Sequence, residues 1–193
     1  MLTMRKIAIF ASGSGTNAER IIKYFANTNT ASVLLILSNK KDAYVLQRAK
    51  NLNVKFMTFD KEKFNNADEI INILKDLKID LIVLAGFLLL LPKKILNAFP
   101  NRIVNIHPAL LPKYGGKGMY GMNVHKAVIE NNEKETGITI HYVNGKYDEG
   151  AIIYQAKCKI ETNDTPEIIA EKIHLLEHQF YPNIIEKIIN ELK

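Results

Sequence analysis

The chain alternates short runs that are apolar on both faces with stretches in which apolar residues return every three or four positions. A strand apolar on one face can border water, but a strand apolar on both must be covered twice, which is the condition of parallel strands inside an α/β sheet. The runs Lys6 to Ala11, Val33 to Ser38, Val54 to Thr58, Leu81 to Ala85 and Ile103 to Ile106 read as such strands. Helical periods over Glu19 to Phe25, Ala43 to Asn51, Ala67 to Leu77 and Lys93 to Ala98 fill the gaps and supply right-handed crossovers. After a Gly-rich stretch, Pro112 to Gly121, come a helix (Asn123 to Glu130) and two alternating runs, "GITIHYV" and "AIIYQAKCKI", expected to pair antiparallel at one sheet edge. A last helix opens at "TPE", with Thr165 as cap and Pro166 in its first turn, and Pro182 is expected to kink or break it. The expected fold is α/β: one domain, residues 1–193, with a doubly wound, mostly parallel, Rossmann-like sheet, an antiparallel edge and a long C-terminal helix.

Size and charge narrow the function classes. With 193 residues, 47% of them hydrophobic, the chain can bury a core without disulfide or metal staples. The net charge of +6 fits an anionic partner, whether phosphate, a polycarboxylate or nucleic acid, yet lysines spread through nearly every helix read as ordinary solvated faces rather than a nucleic-acid patch. The single cysteine, Cys158, lies in a strand-like run and excludes an internal disulfide, as in a reducing compartment. "LIVLAGFLLLL", Leu81 to Leu91, is shorter than the roughly 18 residues of a membrane helix, and the amino-terminal apolar run is too short for a signal peptide. The expectation is a cytoplasmic protein without membrane or nucleic-acid partners, a monomer or homodimer.

Polar residues interrupt this pattern in four places. In "RIVNIHPALLPKYGG", Asn105 and His107 lie two apart in a strand and project to one face, while Ile106 turns to the other layer. Pro108 ends the strand, so the pair falls at its carboxyl end, where open α/β sheets bind ligands. Spacing alone equally fits a capping Asn and a satisfied surface His. In "ASGSGTNAER", Gly13, Gly15 and Ala18 match the degenerate dinucleotide pattern, but the second strand ends "SNK", without the acidic residue a ribose would need. What remains is a glycine-permitted turn at a helix amino end, flanked by Ser14, Thr16 and Asn17: a phosphate cradle, or a capped helix with no ligand.

In "HLLEHQFYP", residues His174, Glu177 and His178 spell the H-x-x-E-H pattern of inverted zinc peptidases. The short remainder of the chain lacks a credible further ligand, so no metal is expected. The helix face is then structural, or Glu177 reaches a ligand. In "YVNGKYDEGAII", Asp148 sits in a turn between strands, and it joins a site only if that turn folds back over His107, where a carboxylate orients an imidazole and raises its pKa.

Together "NIHPALLPKYGG", "HYVNGKYDEG", the "AGF" after the fourth strand and "SGSGTN" resemble the folate-dependent formyltransferase family, in its phosphoribosylglycinamide (glycinamide ribonucleotide) branch, from about Arg5 onward. The resemblance implies formyl transfer from the cosubstrate 10-formyltetrahydrofolate to an amine in de novo purine synthesis, without metal. It implies a catalytic trio of Asn105, His107 and Asp148, and acceptor binding by Gly15, Thr16, Asn17 and Glu177. Formyl folate would be held by Leu88, Leu89, Leu90 and Leu91, by Asn105, and by the turn Asn144, Gly145, Lys146, Tyr147 and Asp148. Where many members carry a basic residue after "AGF" this chain has four leucines, and Lys61 or Lys63 only approximates an arginine that some members have beyond the third strand. The chain also ends without the extra domain typical of methionyl-tRNA formyltransferase and lacks the leading regulatory domain of formyltetrahydrofolate deformylases. The alternatives are transfer to another amine and a silent phosphate-binding module; the first loop with Glu177, and the intact trio, respectively argue against them.

Overall fold

A computed structural model of the chain describes residues 4–192. The elements run β1 (Arg5–Phe10), α1 (Thr16–Phe25), β2 (Ala31–Ser38), α2 (Tyr44–Asn51), β3 (Lys55–Thr58), α3 (Lys61–Asn66), α4 (Asp68–Asp76), β4 (Leu81–Leu84), α5 (Lys93–Ala98), β5 (Ile103–His107), α6 (Met122–Glu130), β6 (Glu135–Tyr142), β7 (Ile152–Lys159) and α7 (Pro166–Glu191). The seven strands form one sheet in the order β3-β2-β1-β4-β5-β6-β7. Strands β1 to β5 pair in parallel, and β6 and β7 add an antiparallel edge.

Alternation along each strand builds two cores. Ile7 and Ile9, Leu81 and Val83, and Val104 and Ile106 face α1 and α7 on one side of the sheet. Ala8 and Phe10, Ile82 and Leu84, and Ile103 face α3, α4 and α5 on the other. The order reverses between β1, which leads outward to β2, and β4, which leads to β5. At such a switch point the loops leaving adjacent strands diverge and open a crevice at the sheet's carboxyl edge. Ser12 pins the two loops there: its N–H donates to Gly86 O at 3.0 Å, and its Oγ accepts from Leu88 N at 3.2 Å and donates to Asn39 Oδ1 at 2.7 Å.

Two expectations are corrected. The helix placed over Ala67 to Leu77 is preceded by a separate turn of helix, α3, capped by Asp60 Oδ1 accepting from Lys63 N at 2.8 Å; Ala67, with φ of 63°, separates it from α4. And of the kink or break expected at Pro182 the break does not occur: α7 runs as one helix from Pro166 to Glu191. Proline lacks the N–H that would bond the carbonyl four residues back, here His178, and Arg20 Nε of α1 donates to that oxygen instead, at 3.2 Å. The buried stripe of α7 reads Ile169, Ile173, Glu177, Tyr181, Ile185 and Ile188, so one carboxylate interrupts an otherwise apolar face.

Tyr181, fully buried, donates its hydroxyl to Leu84 O of β4 at 2.9 Å and also approaches Val104 O of β5 at 3.4 Å. Removing the hydroxyl leaves those carbonyls without this donor in a site closed to water, so Tyr181→Phe should destabilise the fold by about 1 kcal/mol. Urea midpoints at constant m-value measure this, and an unchanged midpoint would show the hydrogen bond to be idle.

Candidate active site

A cleft of about 730 Å³ opens along the carboxyl edge of the sheet at the switch point, lined at one end by Gly15, Thr16, Asn17, His174 and Glu177 and towards the other by Asn105, His107, Tyr147 and Asp148. Leu88 also lines it. A smaller pocket of about 50 Å³ adjoins it, lined by Leu89, Leu90, Leu91, Lys146, Tyr147 and Asp148 together with Asn105 and His141. Asn144 and Gly145 line neither; Asn144 Oδ1 accepts from Lys146 N at 2.9 Å and so shapes the turn instead. Lys61 and Lys63 also lie away from both, with Lys63 paired to Glu69 at 3.0 Å.

At the end formed by Gly15, Thr16 and Asn17 the chain leaves β1 and enters α1 through Gly15, whose φ is +76°. A Cβ there would lie 2.4 Å from Val45 Cγ2 and 2.8 Å from Val45 Cα, so both conformation and space require glycine. α2 buttresses this loop: Val45 N donates to Gly13 O at 3.2 Å and Arg48 Nε to Ser14 O at 2.9 Å, while the Arg48 guanidinium pairs with Glu19. The result is a rigid turn at the positive end of a helix dipole. Beside it Glu177 is 6% exposed; its Oε2 accepts from Asn17 Nδ2 at 2.8 Å and meets His174 Nδ1 at 3.0 Å. Asn17 Oδ1 is buried with no partner among the described residues.

At the other end β5 brings Asn105 and His107 to one face, as the two-residue period requires, and the β6–β7 turn folds back over them. Gly150 permits that return, since a Cβ would lie 1.6 Å from Tyr142 O. Asp148, with φ of 55°, points its carboxylate between two imidazoles: Oδ2 is 3.5 Å from His107 Nδ1, and Oδ1 is 3.6 Å from His141 Nε2. Oδ2 also accepts from Gly116 N at 2.9 Å. Despite the burial that opposes charge, the neighbouring imidazoles of His141 and His107 and the N–H of Gly116 keep the Asp148 carboxyl below its usual range.

His107 differs from expectation in one respect. Its Nε2 is 2.7 Å from Tyr114 O, and a carbonyl can only accept, so Nε2 carries the proton and gives it to the backbone rather than to the open cleft. Burial pushes its pKa below the ordinary value in spite of Asp148.

His141 is the site residue that sequence reasoning missed. It sits opposite Asn105 in the β5–β6 register. Its Nδ1 bonds Tyr142 O at 2.8 Å, which makes Nε2 an acceptor for Asn105 Nδ2 at 3.1 Å and so orients the amide. Thr139, next along β6, anchors the segment after Pro108: its Oγ1 donates to Ala109 O at 2.7 Å and accepts from Leu111 N at 3.0 Å. Of the H-x-x-E-H pattern, His174 and Glu177 line the cleft, whereas His178 does not, and its Nε2 is buried without a partner among the described residues. Among those residues no three His, Cys, Asp or Glu side chains group to hold a metal ion, and no helix is long and apolar enough to cross a membrane.

This fold and cleft define a doubly wound α/β protein in which a glycine turn at the amino end of α1 and a cluster of hydrogen-bonding groups around Asn105, His107 and Asp148 line one cleft. Comparison with known proteins makes the class specific. Residues 5–185 match the formyl transferase family, and the chain belongs to that family. It is 39% identical over 193 residues to a chloroplast phosphoribosylglycinamide formyltransferase of Arabidopsis thaliana, an alignment covering 97% of this chain and 66%, just under two thirds, of that one. It is 36% identical to the phosphoribosylglycinamide formyltransferase of Bacillus subtilis, covering 96% of this chain and 95% of that one. The crystal structure of phosphoribosylglycinamide formyltransferase from Bacillus halodurans superposes with a TM-score of 0.88 at 37% identity, over 98% of this chain and 97% of that one.

The lowered pKa of His107 has a direct test. Because desolvation lowers it and Asp148 raises it, imidazole NMR should show His107 titrating below 6.5 in the free protein, and lower still in Asp148→Asn. A midpoint above 6.5, or a rise on removing Asp148, would contradict the electrostatics described.

Proposed function

We propose that the chain transfers the formyl group of 10-formyltetrahydrofolate to the primary amine of glycinamide ribonucleotide, a step of de novo purine synthesis, in the cytoplasm and without a metal. The observation that carries this reading is one cleft joining the glycine turn at the amino end of α1 and the buried Glu177 carboxylate to the Asn105, His107 and Asp148 cluster, in a chain of the formyl transferase family. The acceptor phosphate would occupy the amino end of α1 against the backbone of Gly15, Thr16 and Asn17. The ribose hydroxyls would donate to Glu177, and Asn17 Oδ1 offers a further acceptor for a donor on the ribonucleotide. The pterin would enter between Leu88 to Leu91 and the turn ending at Asp148. Two substrates held in one cleft react as an intramolecular pair, which lowers the entropic part of the barrier.

In the chemical step the amine attacks the formyl carbon and negative charge develops on its oxygen. Asn105 keeps one N–H on His141 and has a second for that oxygen. His107 Nε2–H becomes the other donor when it exchanges the Tyr114 carbonyl for the formyl oxygen. Each preorganised donor of this kind supplies about 3 kcal/mol of transition-state stabilisation. Asp148, at Nδ1, favours positive charge on the imidazole as negative charge forms beyond it. The proton lost by the attacking nitrogen passes, through water held by this cluster, to the folate nitrogen as the tetrahedral intermediate collapses, so atoms and charge balance without a covalent enzyme intermediate.

With purified protein, glycinamide ribonucleotide and 10-formyltetrahydrofolate, deformylated folate should accumulate and chelator should not stop it; dependence on added zinc would overturn the metal-free chemistry. His107→Ala or Asp148→Asn should lower kcat by at least about a hundredfold with smaller effects on either Kd. Near-normal turnover in both would remove the mechanism. The acceptor end is tested separately by calorimetry. Losing a charged acceptor of ribose hydroxyls costs roughly 1.5 to 3 kcal/mol, so Glu177→Ala should weaken ribonucleotide binding about ten- to a hundredfold and leave folate binding unchanged. Gly15→Val should act in the same sense by closing the cradle. Unchanged ribonucleotide affinity in both variants would favour a different amine acceptor.

A further inference from the structure

The geometry points to His174 as a positioning residue of the acceptor subsite: it shares Glu177 Oε2 with Asn17 and thereby leaves Oε1 for the ligand. This inference rests on the acceptor role of Glu177 given above.

A glutamate side chain has several rotamers, and one that must meet a ribose has to be confined to one of them. Two donors confine this one from different elements. Asn17 Nδ2, in the first turn of α1, reaches Oε2 at 2.8 Å, and His174 Nδ1, one turn earlier on α7, reaches the same atom at 3.0 Å. Both bonds fall on one oxygen, Oε2, and neither takes Oε1. The carboxylate is therefore anchored through one oxygen, which leaves the other for the cleft that both His174 and Glu177 line.

The chemistry of the anchor depends on protonation. His174 donates from Nδ1 in either its imidazolium form or one neutral tautomer, but only the imidazolium makes a charge-assisted bond. The hydrogen bond to Glu177 raises its pKa above the ordinary 6.5. Its side chain is 56% exposed, so the ring exchanges protons freely with solvent. The groups around it are Glu177 and His178 on α7, Asn17 and Arg20 on α1, and His125 on α6, with Lys40 and Lys117 further along the cleft. Burial lowers the pKa of both His125 and His178, so among the three imidazoles His174 is the one whose charged form its surroundings favour. The anchor is at full strength below 6.5 and weakens as pH rises through the raised value.

The experiment compares dissociation constants for glycinamide ribonucleotide, without folate, in wild type, His174→Ala and His174→Asn between pH 5.5 and 8.5. The phosphate and amine of the ligand titrate too, so the quantity read is the ratio of variant to wild-type Kd at each pH, from which ligand titration cancels. For a half-exposed pair His174→Ala should give a ratio of roughly two to five at pH 6 that falls towards one by pH 8.5. The Asn variant, whose amide nitrogen overlays Nδ1 without its charge, should recover part of the lost affinity and show the same decline with pH. Folate affinity should not change in either. A ratio near one at pH 6, or one independent of pH, overturns the positioning role while leaving the acceptor site intact. If wild type binds no ribonucleotide at any pH, the acceptor assignment of Glu177 falls, and this inference with it.

Discussion

The parallel pairing of β1 with β4 is the constraint on which the rest of the molecule depends. Ile7 to Phe10 lie beside Leu81 to Leu84, and both strands are buried on both faces, so neither can move without opening two cores. From this fixed pair the chain departs in opposite directions. The loop after β1 becomes the glycine turn that opens α1, and the loop after β4 becomes the leucine segment. Ser12 bonds both, through its amide to Gly86 and through its hydroxyl to Leu88, so the two walls of the cleft are set at a defined separation by one small residue.

Polar side chains at the sheet's edge obey the same discipline as the core. Asn105, His107, His141, Thr139 and Asp148 sit where unpaired polar groups are costly, and each meets a partner: Asn105 meets His141, His107 meets Tyr114 O, Thr139 meets Ala109 and Leu111, and Asp148 meets Gly116. Such a network holds its members in single orientations, which is what preorganised hydrogen-bond donors require. The left-handed backbone at Asp148 belongs to the same arrangement, since it turns the carboxylate back between the two imidazoles.

What could be read from the sequence was whatever depends on local period and backbone chemistry. Two-residue spacing put Asn105 and His107 on one face; both-faced apolar runs gave the parallel strands; glycine marked the strand-to-helix turn into α1. His141 escaped because its role comes from lying opposite Asn105 across an antiparallel register, and nothing within "GITIHYV" reports its partner. The destination of His107 Nε2 was equally hidden, since it is a backbone carbonyl whose position depends on how a Gly-rich loop lies. The spacing of α7 did hold a signal: Glu177 occupies a stripe otherwise made of Ile and Tyr, where a carboxylate without a task would be destabilising. That Pro182 does not end α7 has a reason visible only in three dimensions, because the carbonyl it frees is met by Arg20 from another helix. α3 was missed because a single turn of helix shows too little periodicity to be told from a loop.

The close approach at Gly15 bears on how such a sequence can drift. A Cβ at that position would meet not only the side chain of Val45 but its Cα, at 2.8 Å. Shrinking residue 45 to alanine or glycine would clear the methyl groups and leave the backbone where it is, held by the bond from Val45 N to Gly13 O. No compensating substitution at the neighbouring position can therefore release residue 15, and the two sites should not covary. Variation among descendants of this chain is expected at 45 in size and at 15 not at all, so long as the cradle is kept.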